Sequence, residues 1–323
     1  MHFHYANNHK QIGFSKYVYF FLRSLEGKKQ ILNDFRGATV GGISRQFIES
    51  AKIPLPPLDD QIRIAIVLTR VEKLIAKRKE SIEALDEFLK STFLEMFGIA
   101  SKFEWKTIGS IADKKKKYSI SSGPFGSNLT SKHYMNSGVV VLRGTNISSG
   151  KLLLEEVKYI SEEKADELKR SELKPNDVVI IAVGSSGKAF KIPEGIPKMI
   201  MSQNFNKITG DLSIINPIYL ESCINSEYVQ GQFKKQITDT VRTFLSLTKI
   251  IRVRIPVPPL PLQNQFATIV EKVEVIKAKY NQSLTELENL YGSLSQRAFK
   301  GELDLSKVPV EREGKTKDFI EIT

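Results

Sequence analysis

The sequence predicts an α+β protein, a mixed α/β domain of about 150 residues flanked by two long helices. Three observations predict it. A proline-rich phrase occurs twice, about 202 residues apart, at Ile53 to Gln61 (IPLPPLDDQ) and Ile255 to Gln265 (IPVPPLPLQNQ). Each copy opens into a long stretch whose apolar residues recur every three or four positions. Between the two lies Phe103 to Arg254, rich in Val, Ile and Gly and broken into short apolar runs.

The elements follow in chain order. Residues 1–58 read as the C-terminal remnant of a domain, because Tyr17 to Leu22 (YVYFFL) echoes Pro217 to Leu220 (PIYL). The prolines at its end cannot be helix interior, since proline lacks the amide donor and clashes with the preceding turn. They mark a rigid extended lead-in, and the second copy reads as carrying a two-residue insertion. Residues 59–98 then predict a helix with a seam of Leu68, Val71, Ile75, Arg78, Ile82, Leu85, Leu89 and Phe93. Residues 261–301 predict a second, with Phe266, Ile269, Val273, Ile276, Tyr280, Leu284, Leu287, Tyr291 and Leu294. A seam with an average period of 3.5 argues for a coiled coil. At roughly 36 residues each, the helices would be about 54 Å long. Arg78 is the exception in the first seam, either fixing its register or lying at its edge. Gly301 is a terminator for the second helix. Residues 103–258 hold the strands, among them Val139 to Gly144 and Asp177 to Gly187, with a helix at Ser161 to Arg170. Residues 302–323 read as a tail that frays from Val310.

Composition narrows the class. The 323 residues are 41% hydrophobic and 26% charged, ordinary for a soluble globular chain. The longest apolar runs, such as Val178 to Val183, fall far short of the ~18 residues of a spanning helix. The opening MHFHYANNHK has no apolar core before a cleavage site, and the single Cys223 excludes a disulfide framework and a cysteine-built zinc site. A cytoplasmic home is expected. The net charge of +12 points to a polyanionic partner, most often nucleic acid. Residues 103–258 carry 23 Lys and Arg against 15 Asp and Glu, so +8 of the surplus sits in the globular domain.

Three enzyme signatures are incomplete. Ala182 to Ala189 (AVGSSGKA) approaches a phosphate-cradling loop but has Ala182 for its first glycine and Ala189 for its magnesium-binding hydroxyl. A glycine-rich strand-end turn is the better reading. Asn216 to Tyr219 (NPIY) approaches the N-P-P-Y loop of amino-methyltransferases, but Ile218 replaces the second proline, so a helix starting at Pro217 is expected. His2, His4 and His9 have no matching fourth ligand nearby. No catalytic, cofactor-binding or metal-binding residue is assigned.

With the repeat and the intervening domain in hand, the chain resembles the specificity subunits of type I restriction-modification enzymes, usually called HsdS. The resemblance rests on IPLPPLDDQ and IPVPPLPLQNQ, each feeding a long helix, and on GSLSQRAFKGEL from Gly292 to Leu303. Inside the domain it rests on Trp105, the SGPFGSNL run ending at Leu129, VLRGTNI at Val141 to Ile147, SELKPNDVVIIAVGSSGK at Ser171 to Lys188, and SQNFNKI at Ser202 to Ile208. The resemblance implies two target recognition domains, each reading half of a bipartite site in double-stranded DNA, with the two helices pairing antiparallel as a spacer. It implies methylation subunits carrying S-adenosylmethionine and restriction subunits carrying ATP and magnesium chemistry, with no cofactor in this chain. The second recognition domain would be 103–258 and the first only the remnant 1–58. Either the chain is a truncated or recombined cassette, or it is a half-subunit that joins a second copy of itself. In the latter case an exposed apolar face around Tyr17 to Leu22 would favour dimers, and the site read would be an interrupted palindrome.

Base-edge readout needs Arg, Lys, Asn, Gln or Ser on loops that reach a groove, while phosphate contacts position the protein. The candidates are the run Lys114, Lys115, Lys116 and Lys117, then Ser127, Asn128 and Lys132 after the SGPFG turn. Arg143, Asn146, Ser185, Lys188, Gln203, Asn204 and Asn206 complete the set. Phe125 of that turn is expected to pack inward. The alternative function is a non-catalytic coiled-coil scaffold with incidental charge, or an inactive recombination cassette of a specificity gene. A stand-alone methyltransferase-nuclease is remote without cofactor motifs.

Overall fold

The computed structural model describes residues 11–34, 42, 45, 51–98, 102–148, 151–184, 186–236, 245–310 and 319–322. In chain order its elements begin with β1 (Gln11–Phe14), α1 (Ser15–Arg23), α2 (Leu25–Asp34) and the long α3 (Leu58–Phe97). The strands β2 (Glu104–Thr107), β3 (Ile120–Ser122), β4 (Val139–Leu142), β5 (Ile147–Ser148), β6 (Lys151–Leu152) and β7 (Lys158–Ile160) come next. They are followed by α4 (Glu162–Glu167), β8 (Glu172–Leu173), β9 (Asp177–Ile181), β10 (Ala189–Lys191), β11 (Met199–Met201) and β12 (Phe205–Thr209). The chain ends with α5 (Pro217–Asn225), α6 (Glu227–Gln236), α7 (Leu247–Arg252), β13 (Arg254–Val257), the long α8 (Leu260–Phe299) and β14 (Phe319–Ile322).

The first long helix starts where its prolines stop, and the second carries its last proline, Pro261, in its first turn, where a missing amide costs no helical bond. Asp59 and Asp60 occupy the first turn of α3, where carboxylates complement the positive end of the helix. Each long helix has 40 residues, about 60 Å of axis. The chain divides into two units, one of residues 1–85 with 275–323 and one of residues 86–274. Each long helix therefore begins in one unit and ends in the other.

In the first unit, α3 and α8 pair antiparallel. Tyr291 Oη lies 3.4 Å from Glu72, and Lys79 pairs with Glu288 at 3.1 Å. Arg78 lies over the ring of Tyr280, so this seam position carries a cation–π contact across the pair. Within this unit Leu68 and Val71 of the seam are buried, while Ile276, expected in the seam, is 41% exposed. A two-helix layer cannot enclose its own middle.

Tyr17, Phe20 and Phe21 are buried, with the rings of Tyr17 and Phe21 each 5.4 Å from Phe299. The expectation of an exposed apolar face at Tyr17 to Leu22 is corrected, because α3 and α8 cover it. Tyr19 alone of that run is largely exposed. The support that this face lent to a second copy falls with it. The frayed tail is corrected too: Phe319 to Ile322 forms β14, antiparallel to β1, and Arg63 Nε donates to the carbonyl of Val308.

The second unit holds two four-stranded sheets, ordered β10-β9-β12-β3 and β7-β4-β11-β8. Every pairing is antiparallel except β4 with β11. Their strands are short apolar runs buried on both faces, such as Val139 to Leu142 and Met199 to Met201. A second core gathers Phe97, Tyr219, Leu220, Phe233 and Phe266 around α5 and α6.

The repeat is deeper than the proline phrase. Gln61 Oε1 accepts from the Phe14 amide at 2.8 Å, and its Nε2 donates to the Pro56 carbonyl at 2.9 Å. Gln263 does the same with Asn216 at 2.8 Å and Pro258 at 2.7 Å. The Tyr17 hydroxyl donates to Pro54, and the Tyr219 hydroxyl to Pro256. Gln30 exchanges two hydrogen bonds with the backbone of Lys52, as Gln232 does with Arg254. Phe299 packs on Tyr17 and Phe97 on Tyr219. Every pair is offset by 202, as Gln61 is from Gln263, so the two-residue insertion is corrected: the phrases align without a gap, and the partner of Gln61 is Gln263 and not Gln265. The helices α1 and α2 are thus a second casting of α5 and α6. Among the described residues the strands from 120 to 209 occur once.

Candidate nucleic-acid interface

Strands β4 and β11 run parallel side by side, so their C-terminal ends open at the same edge. Such an edge is where open α/β sheets bind ligands. Leu142 is followed by Arg143, Gly144 and Thr145, and Met201 by Ser202, Gln203 and Asn204. The Ser202 amide donates to the Leu142 carbonyl at 2.9 Å, fastening the two loops together. These six residues, with Leu129 and Tyr134 as a partly apolar wall, line a cavity of about 390 Å³.

The first loop is held from below. Asn146 is 2% exposed; its Oδ1 accepts from the Arg143 amide at 3.1 Å and its Nδ2 donates to the carbonyls of Leu153 and Glu156. Arg143 sends one guanidinium nitrogen to the Glu156 carbonyl at 3.4 Å, and its Nε is buried without a partner. The second loop rests on Gly123, where a Cβ would lie 2.0 Å from the Ser202 carbonyl oxygen. Ser202 is buried, and its hydroxyl also has no partner. Both atoms are enclosed within the fold, and each carries a desolvation cost.

Of the sequence candidates, the cavity brings together Arg143, Gln203 and Asn204. Lys114 to Lys117 form a separate exposed run after η-turn residues 108–111, with Lys116 3.9 Å from Asp113 and Lys117 Nζ 5.0 Å from the Tyr118 ring. Ser127 and Asn128 are exposed on a short turn at Gly126 to Asn128, and Lys132 is exposed on the next one. Lys188 is exposed in the β9–β10 hairpin, whose turn is the AVGSSGKA run. Gly187 there has φ +93°, and a Cβ would meet the Phe233 ring at 2.8 Å, so glycine serves the turn and the packing. Ser185, His2, His4 and His9 lie outside the described residues.

Two candidates are corrected. Asn146 has both ends of its amide occupied inside the fold. Asn206 is 2% exposed, accepting from the Ser122 hydroxyl and donating to the Leu245 carbonyl. Neither has a group left for DNA. Phe125 is corrected in the opposite sense: it is 58% exposed at the SGPFG turn. Ser202 and Thr145 were missed, although both stand within three residues past an apolar strand. Asn216 caps α5 by accepting from the amides of Ile218 and Tyr219, with Pro217 in its first turn, as the sequence predicts.

Burial elsewhere shifts two titrations in opposite senses. The Cys223 thiol is wholly enclosed and pushed up to about 12, which keeps it an inert thiol. The Lys207 ammonium is lowered by desolvation, against the opposing pull of Asp177 at 3.5 Å.

Residues 2–84 match the family model described as the type I restriction modification DNA specificity domain. That match covers the N-terminal quarter of the chain, and the similarity to curated type I specificity subunits runs over most of it. The chain is 25% identical over 267 residues to the type I restriction enzyme MjaVIII specificity subunit of Methanocaldococcus jannaschii, covering 78% of this chain and 62% of that one. It is 22% identical over 316 residues to the EcoBI specificity subunit of Escherichia coli, covering 88% and 65%. The chain thus spans a little under two thirds of the length of these relatives. A solved type I restriction-modification S subunit from M. genitalium shares the fold, with a TM-score of 0.53 at 18% identity over 88% of this chain and 72% of that one. The stretch matched by the family model includes the first copy of the glutamine-clamped repeat.

Proposed function

We propose that this chain is the sequence-specific DNA-recognition subunit of a type I restriction-modification complex. In this reading it directs adenine methylation and DNA cleavage that partner subunits perform. The observation that carries it is the match of residues 2–84 to the type I restriction modification DNA specificity domain, together with the similarity of most of the chain to type I specificity subunits. The basic domain of residues 103–258 and its strand-end cavity support it, since a pure scaffold needs neither. The chain itself is non-catalytic in this reading. S-adenosylmethionine would sit on methylation subunits, and ATP and magnesium on restriction subunits, all in the cytoplasm. Among the described residues no helix is long and apolar enough to cross a membrane.

The test is co-purification with a methylation subunit encoded beside it, followed by mapping of methylated adenines. Methylation confined to one sequence supports the proposal, and methylation that ignores the presence of this chain overturns it. Binding to duplex DNA should also weaken steeply with salt. Replacing Lys114 to Lys117 with alanine should weaken all sequences alike and flatten the salt slope. Calorimetry of the isolated chain with S-adenosylmethionine or ATP should show no heat of binding.

A further inference from the structure

The duplicated clamps do not discriminate between the two long helices. Gln61 and Gln263, Tyr17 and Tyr219, and Phe299 and Phe97 make the same contacts in the two castings. Where Phe299 packs on Tyr17, its equivalent Phe97 from a second copy of the chain would serve as well. A homotypic arrangement, with α3 on α3 and α8 on α8 between two copies, therefore competes with the pair of α3 and α8. Tethering in one chain favours α8 through its effective concentration. The remaining discrimination has to come from seam positions that the repeat does not duplicate.

Arg78 and Tyr280 are such positions. They are repeat equivalents, 202 residues apart, and each stands at the middle of its 40-residue helix. In an antiparallel pair of equivalent helices, equivalent positions face each other only at the midpoint. Arg78 does lie over the Tyr280 ring, its guanidinium carbon 4.3 Å from the centre. In a homotypic pair of the same geometry Arg78 would instead face its own counterpart, like charge against like, and both side chains here are half-buried. The neighbouring ion pair of Lys79 with Glu288 does not discriminate, because the equivalent of Glu288 is Asp86, an acid of the same sign. The contact of Glu72 with Tyr291 discriminates only weakly: its equivalent would place Leu89 there, but the bond is 3.4 Å long. One polar residue in an apolar seam is a known means of fixing partner and register at some cost in stability.

We infer that Arg78 selects the partner of α3: through Tyr280 it admits α8, and through its own charge it rejects the α3 of a second copy of this chain. The selection lies in a difference, a cation on a ring in one pairing and a cation on a cation in the other. An α3 that took α8 from another copy would keep the ring, so the device sorts helix from helix and not chain from chain. It is independent of the DNA-recognition reading above.

The experiment co-expresses two differently tagged copies of the full chain and measures the fraction captured together. It compares the wild type, Arg78→Tyr, Arg78→Leu, and the reversed pair carrying both Arg78→Tyr and Tyr280→Arg. Arg78→Tyr puts tyrosine on both sides of the midpoint, and Arg78→Leu puts an ordinary seam residue there. Either should raise the jointly captured fraction roughly tenfold, since two cation–π contacts no longer favour α8 and one cation–cation contact no longer opposes exchange. The reversed pair restores a cation facing a ring between α3 and α8, and like charges between two copies of α8. It should return to the wild-type fraction. Arg78→Leu carries the same comparison if Arg78→Tyr does not fold by circular dichroism. A wild type captured as readily as the single variants overturns the inference. A reversed pair that stays as high as Arg78→Tyr overturns it too, because the pairing of cation with ring would then decide nothing.

Discussion

The guanidinium carbon of Arg78 lies 4.3 Å from the centre of the Tyr280 ring, joining α3 to α8 at the point where apolar burial thins out. A charge in an otherwise apolar seam is tolerable because a face of the ring receives it while the rest stays wet. A double-mutant cycle with Arg78→Ala and Tyr280→Ala should give a coupling of about 0.5–1 kcal/mol in denaturant unfolding, the range of a partly exposed cation–π pair. Zero coupling would leave Arg78 a mere edge residue.

The paired glutamines predict paired costs. Gln61 and Gln263 are 2% and 0% exposed, and each ties a helix start to a proline turn. Changing either to leucine strands buried backbone groups and should cost about 1–3 kcal/mol per group left unmade. Hydrogen exchange should show the loss at the Phe14 amide in one variant and at the Asn216 amide in the other.

The positions that hold and the positions that read should separate by stability. Asn146→Ala and Asn206→Ala each remove a buried amide with two-sided bonding and should destabilise by about 1–3 kcal/mol. Gln203→Ala should stay within about 0.5 kcal/mol, as surface changes do. Urea midpoints of the three variants check this. Equal midpoints would return Asn146 and Asn206 to the list of readers.

Glu221 on α5 gives a pH signature. Desolvation pushes its carboxyl up to about 7 from 4.5, opposed by a hydrogen bond from the Lys191 amide. The folded state therefore holds this proton more tightly than the unfolded chain does. Stability from this group is full below its unfolded value and is lost as pH rises toward 7, by an amount on the order of 1–3 kcal/mol. Thermal unfolding should show Glu221→Gln losing that slope between about pH 5 and pH 8.

Much of this architecture was legible because period and proline are local signals. The 3.5 spacing from Leu68 to Phe93 and the prolines before Leu58 mark α3 without any knowledge of partners. The alignment of the repeat was not, since both Gln263 and Gln265 follow the second phrase and only the hydrogen bond to Asn216 chooses between them. The site was half legible. Polar residues after apolar strands stand out at Arg143, Gln203 and Asn204, but sequence does not say whether an amide faces outward or is consumed within, as at Asn146 and Asn206. Phe125 reversed for the same reason: an aromatic beside glycines reads as filler until the turn is seen to lift it into solvent.

Gly123 sits where no side chain fits, its missing Cβ only 2.0 Å from the Ser202 carbonyl. The backbone of the cavity is thereby set by atoms that take no part in what the cavity meets. Frame and lining are uncoupled: the glycine and Asn146 hold the loops, while Arg143, Gln203 and Asn204 line the space between them. Those three positions can change without refolding the loops that present them, whereas one methyl group at 123 would displace the loop whatever they are.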